Sequence, residues 1–127
     1  MKAYSNSNAS GSANKTPYYN PSDTVYFDDN VSFTGTCAQV TFTLTLRDGS
    51  ANLIRTLAGT TYNVGTTGSL NMSSDIFGGT QSWPVPASGS TGAYTVRLNA
   101  GSKGINNEYT ETQIYIVPPT NIVISGT

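Results

Sequence analysis

Histidine is missing from this sequence, and cysteine occurs once, as Cys37. Without an imidazole there is no Ser-His-Asp triad, no Cys-His dyad and no imidazole-held metal. A single thiol excludes an intrachain disulfide, a CxxC pair and a cysteine-rich zinc site, so stability has to come from packing. Charge is scarce as well: charged residues make up 10% of the chain and nearly cancel, to a net charge of -1. That leaves no electrostatic footprint for nucleic acid or anionic lipid, and neither partner is expected. No apolar run approaches the roughly 18 residues that cross a bilayer. Residues 1–20 lack the hydrophobic segment of a secretory signal, as expected of a mature or trimmed form, a cloned piece or a virion component.

What the chain does contain is alternation. In residues 40–46 Val40, Phe42, Leu44 and Leu46 alternate with Thr41, Thr43 and Thr45. Strand side chains point to opposite faces with a period of two, so this is a half-buried strand with one apolar and one hydroxylated face. Residues 47–52 supply turn chemistry, with Gly49 expected to take the positive φ of a tight reversal, before Leu53, Ile54 and Leu57 resume the apolar pattern. The centre of the chain is therefore a hairpin. Tyr94, Val96 and Leu98 alternate with Thr95, Arg97 and Asn99 in a second clear strand, and residues 109–117 read as the closing one. Two short strands, 24–27 and 31–34, are broken by Asp28, Asp29 and Asn30, a candidate bulge. The S-W-P-V-P-A run at 82–87 has too few backbone donors for a central strand and fits an edge that delivers Trp83 and Val85 to the core. No helical periodicity is visible. At 127 residues the chain suits one domain, and many short strands imply an all-β antiparallel sandwich.

Three segments follow. Residues 1–22 form an extended polar N-terminal arm whose first part holds too little apolar surface to order on its own. Residues 23–117 form the sandwich. Residues 118–127, past the strand stop at Pro118 and Pro119, carry one further alternation around Ile122, Val123 and Ile124.

The run D-G-S-A-N-L-I-R-T-L, followed by W-P-V-P-A and then G-A-Y-T-V-R-L, resembles the bacterial and archaeal immunoglobulin-like modules of surface and filament proteins, with the flagellar hook-cap type nearest. The resemblance covers about residues 25–117. It implies an immunoglobulin-like sandwich in which Asp48 and Gly49 shape the hairpin turn, Trp83 fills the core and Gly92 lets the chain enter the strand bearing Tyr94. It implies no active site.

Candidate chemistry is thin. Asp23, Asp28 and Asp29 offer oxygen ligands for calcium, but acidic residues in a strand break are more commonly turn formers, and no cofactor or metal is expected. Asp75, Glu108 and Glu111 are the carboxylates available to a glycosidase; Glu108 and Glu111 lie an odd number of positions apart and should face opposite ways. Lys2, Lys15 and Lys103 sit on no apolar face that would activate an amine for an isopeptide bond. Tyr18, Tyr19, Tyr62, Tyr109 and Tyr115 could form a sugar-stacking platform, a glycan-binding alternative. Asn8, Asn14, Asn30 and Asn71 begin N-x-S/T sequons.

The expectation is accordingly a non-catalytic structural subunit of an extracellular, cell-surface or virion-surface assembly, a filament or pilus-like homopolymer whose partner is a further copy of itself. Tyr4, Tyr18 and Tyr19 in the arm, and Ile122, Val123 and Ile124 at the other end, are the expected contacts between copies. The alternatives are a spacer module of a larger adhesin and a virion decoration protein.

Overall fold

The computed structural model describes residues 1–33, 39–63, 68–102, 105–119 and 123–126. In chain order its strands are β1 (Lys2–Tyr4), β2 (Tyr18–Tyr19), β3 (Thr24–Asp28), β4 (Asn30–Phe33), β5 (Val40–Asp48), β6 (Leu53–Tyr62), β7 (Gly68–Asn71), β8 (Gln81–Pro84), β9 (Gly92–Ser102) and β10 (Ile105–Ile116). They form an all-β sandwich. One layer is the sheet β2-β10-β9-β5-β6, antiparallel except for the short parallel pairing of β2 with β10. The other is β1-β3-β8, continued past Asp29 by the pair β4-β7.

The threonine-alternating stretch is β5, flanked by β6 and β9, and Val40, Phe42, Leu44 and Leu46 are all buried. They join Val96 and Leu98 of β9 and Ile114 and Ile116 of β10 in one core with Val25 and Phe27 of β3 and with Trp83 and Val85. Burying one such side chain contributes about 1.5–3 kcal/mol, so this contact between layers can hold the domain without a covalent clip. Trp83 reaches the opposite sheet, where its ring lies 5.0 Å from that of Tyr94 at an interplanar angle of 56°. Its neighbour Pro84 is tolerated because β8 is an edge strand.

Several expectations are corrected. The arm is not free of the sandwich: β1 pairs with β3 from Lys2↔Asp28 to Tyr4↔Tyr26, and Ala3 and Ala9 are buried. Bonds from Ser5 N to Asn14 O (2.9 Å) and from Thr16 N to Ala3 O (3.2 Å) close residues 3–16 into a loop on its own domain. Main-chain bonding to β3, which a count of apolar side chains does not register, supplies the order.

The apolar pattern of β6 rejoins the core only at its end: Leu57 packs half-buried against it, whereas Leu53 and Ile54 are exposed. The register against β5 shifts between Leu44 and Thr45 and again between Leu46 and Arg47, which leaves Leu57 and Ile54 unpaired as bulges and turns Leu53 and Ile54 away from the core. A single π-helical turn at Met72–Ile76 joins β7 to β8 along one layer and adds buried Met72 and Ile76 to the core. No helical periodicity announces it because one turn is too short to show any. In the C-terminal segment 118–127, residues 123–125 have no sheet neighbour among the described residues, and residues 120–122 lie outside them.

In the β5–β6 hairpin the positive φ falls on Ala51 (φ 65), not on Gly49. Asp48 organises the turn: its Oδ1 accepts from Ser50 N at 2.8 Å and from Asn52 N at 3.0 Å, and its Oδ2 accepts from Asn52 Nδ2 at 3.2 Å. The backbone donors of Asn52 and Ser50 hold this carboxyl below its ordinary range. Its contribution is therefore present above that range and fades as the pH falls through the lowered value.

Two outcomes follow from this description. Left-handed backbone at a residue with a Cβ costs roughly 1–2 kcal/mol, partly offset in glycine by the looser unfolded chain, so Ala51→Gly should raise unfolding free energy by about 0.5 kcal/mol in urea titration. Tyr19 is buried at 3% exposure and its hydroxyl has no hydrogen-bond partner. Burial, and secondarily the charge of Asp23, push this phenol from 10.0 up to about 12. The neutral form is the one the fold favours, so stability is intact below the unfolded value and is lost as the pH rises between the two. Tyr19→Phe should abolish that alkaline loss and be at least as stable as the parent at pH 7, as read by thermal melts from pH 7 to 12.

Candidate interaction surfaces

The acidic cluster resolves into internal structure. Asp28 Oδ2 accepts from Asn71 Nδ2 at 3.0 Å, and Asp28 Oδ1 accepts from Ser73 N at 3.2 Å and Ser73 Oγ at 2.9 Å. Asn71 Oδ1 caps the π-helical turn by accepting from Ser74 N at 2.9 Å, while Asn71 N donates to Asp75 Oδ2 at 2.7 Å. Asp29 lies 3.3 Å from the Met1 ammonium, and Asp23 Oδ2 accepts from Asn20 N at 2.8 Å. These carboxylates tie β3, β4 and β7 to the turn that follows. Among the described residues no cluster of three or more acidic or cysteine side chains is placed to share a metal ion.

The other carboxylates stay apart. Glu111 sits opposite Arg97 on the outer face and bonds it at 3.0 Å, whereas Glu108 pairs with Ala100, one strand face away. Lys2 and Lys15 are exposed, and Lys103 and Cys37 lie outside the described residues. Of the sequon asparagines, Asn8 and Asn30 are exposed, while Asn71 is engaged as above and Asn14 Nδ2 donates to Ser10 O.

The tyrosines divide. Tyr18 stacks on Tyr115 with ring centroids 5.6 Å apart, and Tyr109 lies under the Arg97 guanidinium at 4.1 Å. All three are exposed. Tyr19 is in the core, Tyr62 is half-buried at the end of β6, and Tyr4 is half-buried in β1, bridged to Lys15. The arm residues expected to grip a neighbour, Tyr4 and Tyr19, thus make their contacts within their own chain. On the same outer face as Tyr109, Thr41, Thr43, Arg47, Asn99 and Asn107 line a shallow polar groove of about 370 Å³.

The far end of the chain behaves differently. Val117 N donates to Tyr19 O and Asn20 Nδ2 donates to Val117 O, both at 2.8 Å, which fixes the chain up to the prolines. Beyond them Val123 is 88% and Ile124 89% exposed. Ile122 lies outside the described residues.

The sandwich has a matching gap. β4 is paired with β7 on one side and has no strand neighbour on the other among the described residues, because β1 follows β3 only as far as Asp28. There the two layers part into a groove of about 250 Å³ with Val31, Phe42, Leu98 and Ala100 along it, Tyr109 beside it and the carboxylates of Asp29 and Glu108 at its mouth.

Trp83 and Tyr94 meet across the layers, Asp48 accepts the bonds that build the turn, and Gly92 enters β9 at φ 135. The groove beside β4 went unread, although the break between T-V-Y-F and V-S-F was its only trace in the sequence. Compared with known proteins, the chain matches no family model and no curated sequence.

Asn71 joins two strands and a helical cap, so Asn71→Ala should cost about 2 kcal/mol, from a lost cap and a lost charge-assisted bond. Urea titration checks this, and Asn71→Asp, which keeps the cap but sets two carboxylates together, should recover little of it.

Proposed function

We propose that this chain is a non-catalytic structural subunit of an extracellular assembly, a filament or pilus-like fibre, built on an immunoglobulin-like sandwich and joined copy to copy through its C-terminal segment. The observation that carries the reading is the pair Val123 and Ile124, β-branched, almost fully exposed and detached from the core. Isolated exposed apolar residues are ordinary on a protein surface, but adjacent ones in a sequence that alternates as a strand suit pairing with another sheet. Burying Ile124 alone would contribute about 1.5–3 kcal/mol to each joint.

The strand order supports the immunoglobulin-like part of the reading. β1-β3-β8 against β10-β9-β5-β6 corresponds to A-B-E against G-F-C-C′ in a variable-type sandwich, with Trp83 in place of the usual disulfide as the bulk between layers. The carboxylates bonded within their own chain favour a structural role over hydrolysis. A spacer module of a larger surface protein is the second reading, favoured by Pro118 and Pro119, which make a stiff extended connector immediately after β10.

Deletion of residues 118–127 tests the choice. Since Val117 and all strands are kept, the truncated chain should melt like the parent. Electron microscopy should show fibres of uniform width for the full chain and none for the truncated one. Fibres from the truncated chain, or dispersed monomers from both, would sink the proposal.

A further inference from the structure

We infer that the groove between β4 and β10 receives the segment around Val123 and Ile124 from a second copy of this chain, which adds a strand along the free edge of β4. The inference rests on the assembly reading above and names the surface that reading leaves open.

Among the described residues the backbone of β4 is paired on one side only, and such an edge is a template for another strand. A strand laid along it would continue the line of β1, which stops opposite Asp28. Its alternate side chains would then enter the groove over Val31, Leu98 and Ala100. The segment suits this path: Ile122 and Ile124 share one strand face by the period of two, and no proline follows Pro119. Residues 117–126 carry no charged side chain, so nothing in them is repelled by Asp29 and Glu108 at the groove's mouth.

The occupant comes from another copy. β10 runs from the groove at Glu108 and Thr110 to Ile116, roughly 20 Å away at the opposite pole, where the segment leaves. Val123 and Ile124 are almost fully exposed and so do not pack on their own sandwich. Donor and receptor at opposite poles make a head-to-tail contact, which propagates as a row instead of closing as a pair.

Of the other sheet edges the longest, β6, is a poorer receptor. Its bulges at Ile54 and Leu57 twist it, a common defence against added strands. A joint of about five residues covers less than the roughly 1,200 Å² of specific stable pairs, so each joint is weak and association depends on concentration.

Sedimentation velocity and amide NMR test this. The full chain should show a weight-average mass that climbs with concentration. Ile124→Asp (donor lost) and Val31→Asp (receptor lost) should each stay monomeric, and their equimolar mixture should stop at dimers. Because Val31 also packs on the core, a synthetic peptide of residues 117–126 gives an independent measurement. Added in excess to the full-length Ile124→Asp chain, it should shift the amide signals of residues 29–33 and 108–110. If the full chain assembles while Val31→Asp assembles equally well, or the peptide shifts β6 and leaves 29–33 unmoved, the groove assignment falls and the assembly reading stands. If the full chain is monomeric at every concentration and the peptide binds nowhere, both fall.

Discussion

The contact between the apolar face of β5 and the inner faces of β3 and β8 carries the rest of this molecule. Leu44 and Leu46 on one layer and Val25, Phe27 and Trp83 on the other are closed to solvent, and a two-layer sandwich with no internal cross-link has little else to set against chain entropy. β5 can serve in this way because it is flanked on both sides and is one of the strands whose alternation runs unbroken. The outer face carries the complementary pattern with one exception. Thr45 is buried there because Arg47 Nε donates to its hydroxyl at 3.2 Å, and its own hydroxyl donates to Arg97 O at 3.4 Å.

Away from that contact the structure is held by polar ties where layers change partners. Asp29 marks the point at which β3 ends with β8 beside it and β4 begins with β7 beside it, and Asn71 and Asp28 bind that junction to the π-helical turn. The acidic residues that look like ligands in sequence are thus structural joints. Carboxylates accepting from nearby donors leave few lone pairs for a cation, and the same network that organises the strand switch uses up the chemistry.

How much could be read beforehand depended on what each element relies upon. β5, β9 and β10 are legible because side-chain alternation and burial coincide in them. β6 is not, because its bulges at Ile54 and Leu57 break the correspondence between apolar pattern and inward face. The N-terminal arm is ordered by main-chain pairing and by two small residues, Ala3 and Ala9, which a hydrophobicity count discounts. Ala51 takes the strained turn position while Gly49, two residues earlier, draws the eye. The groove beside β4 was unreadable for a related reason. An unpaired backbone edge has no residue-type signature, and Val31, Leu98 and Ala100 converge there only through the pairing of distant strands.

The Met1 ammonium, 3.3 Å from Asp29 and 3.4 Å from the Thr110 hydroxyl, stands at the threshold of that groove. Asp29 belongs to one layer and Thr110 to the other, so the residue ahead of β1 spans the opening and ties the two layers together where they part.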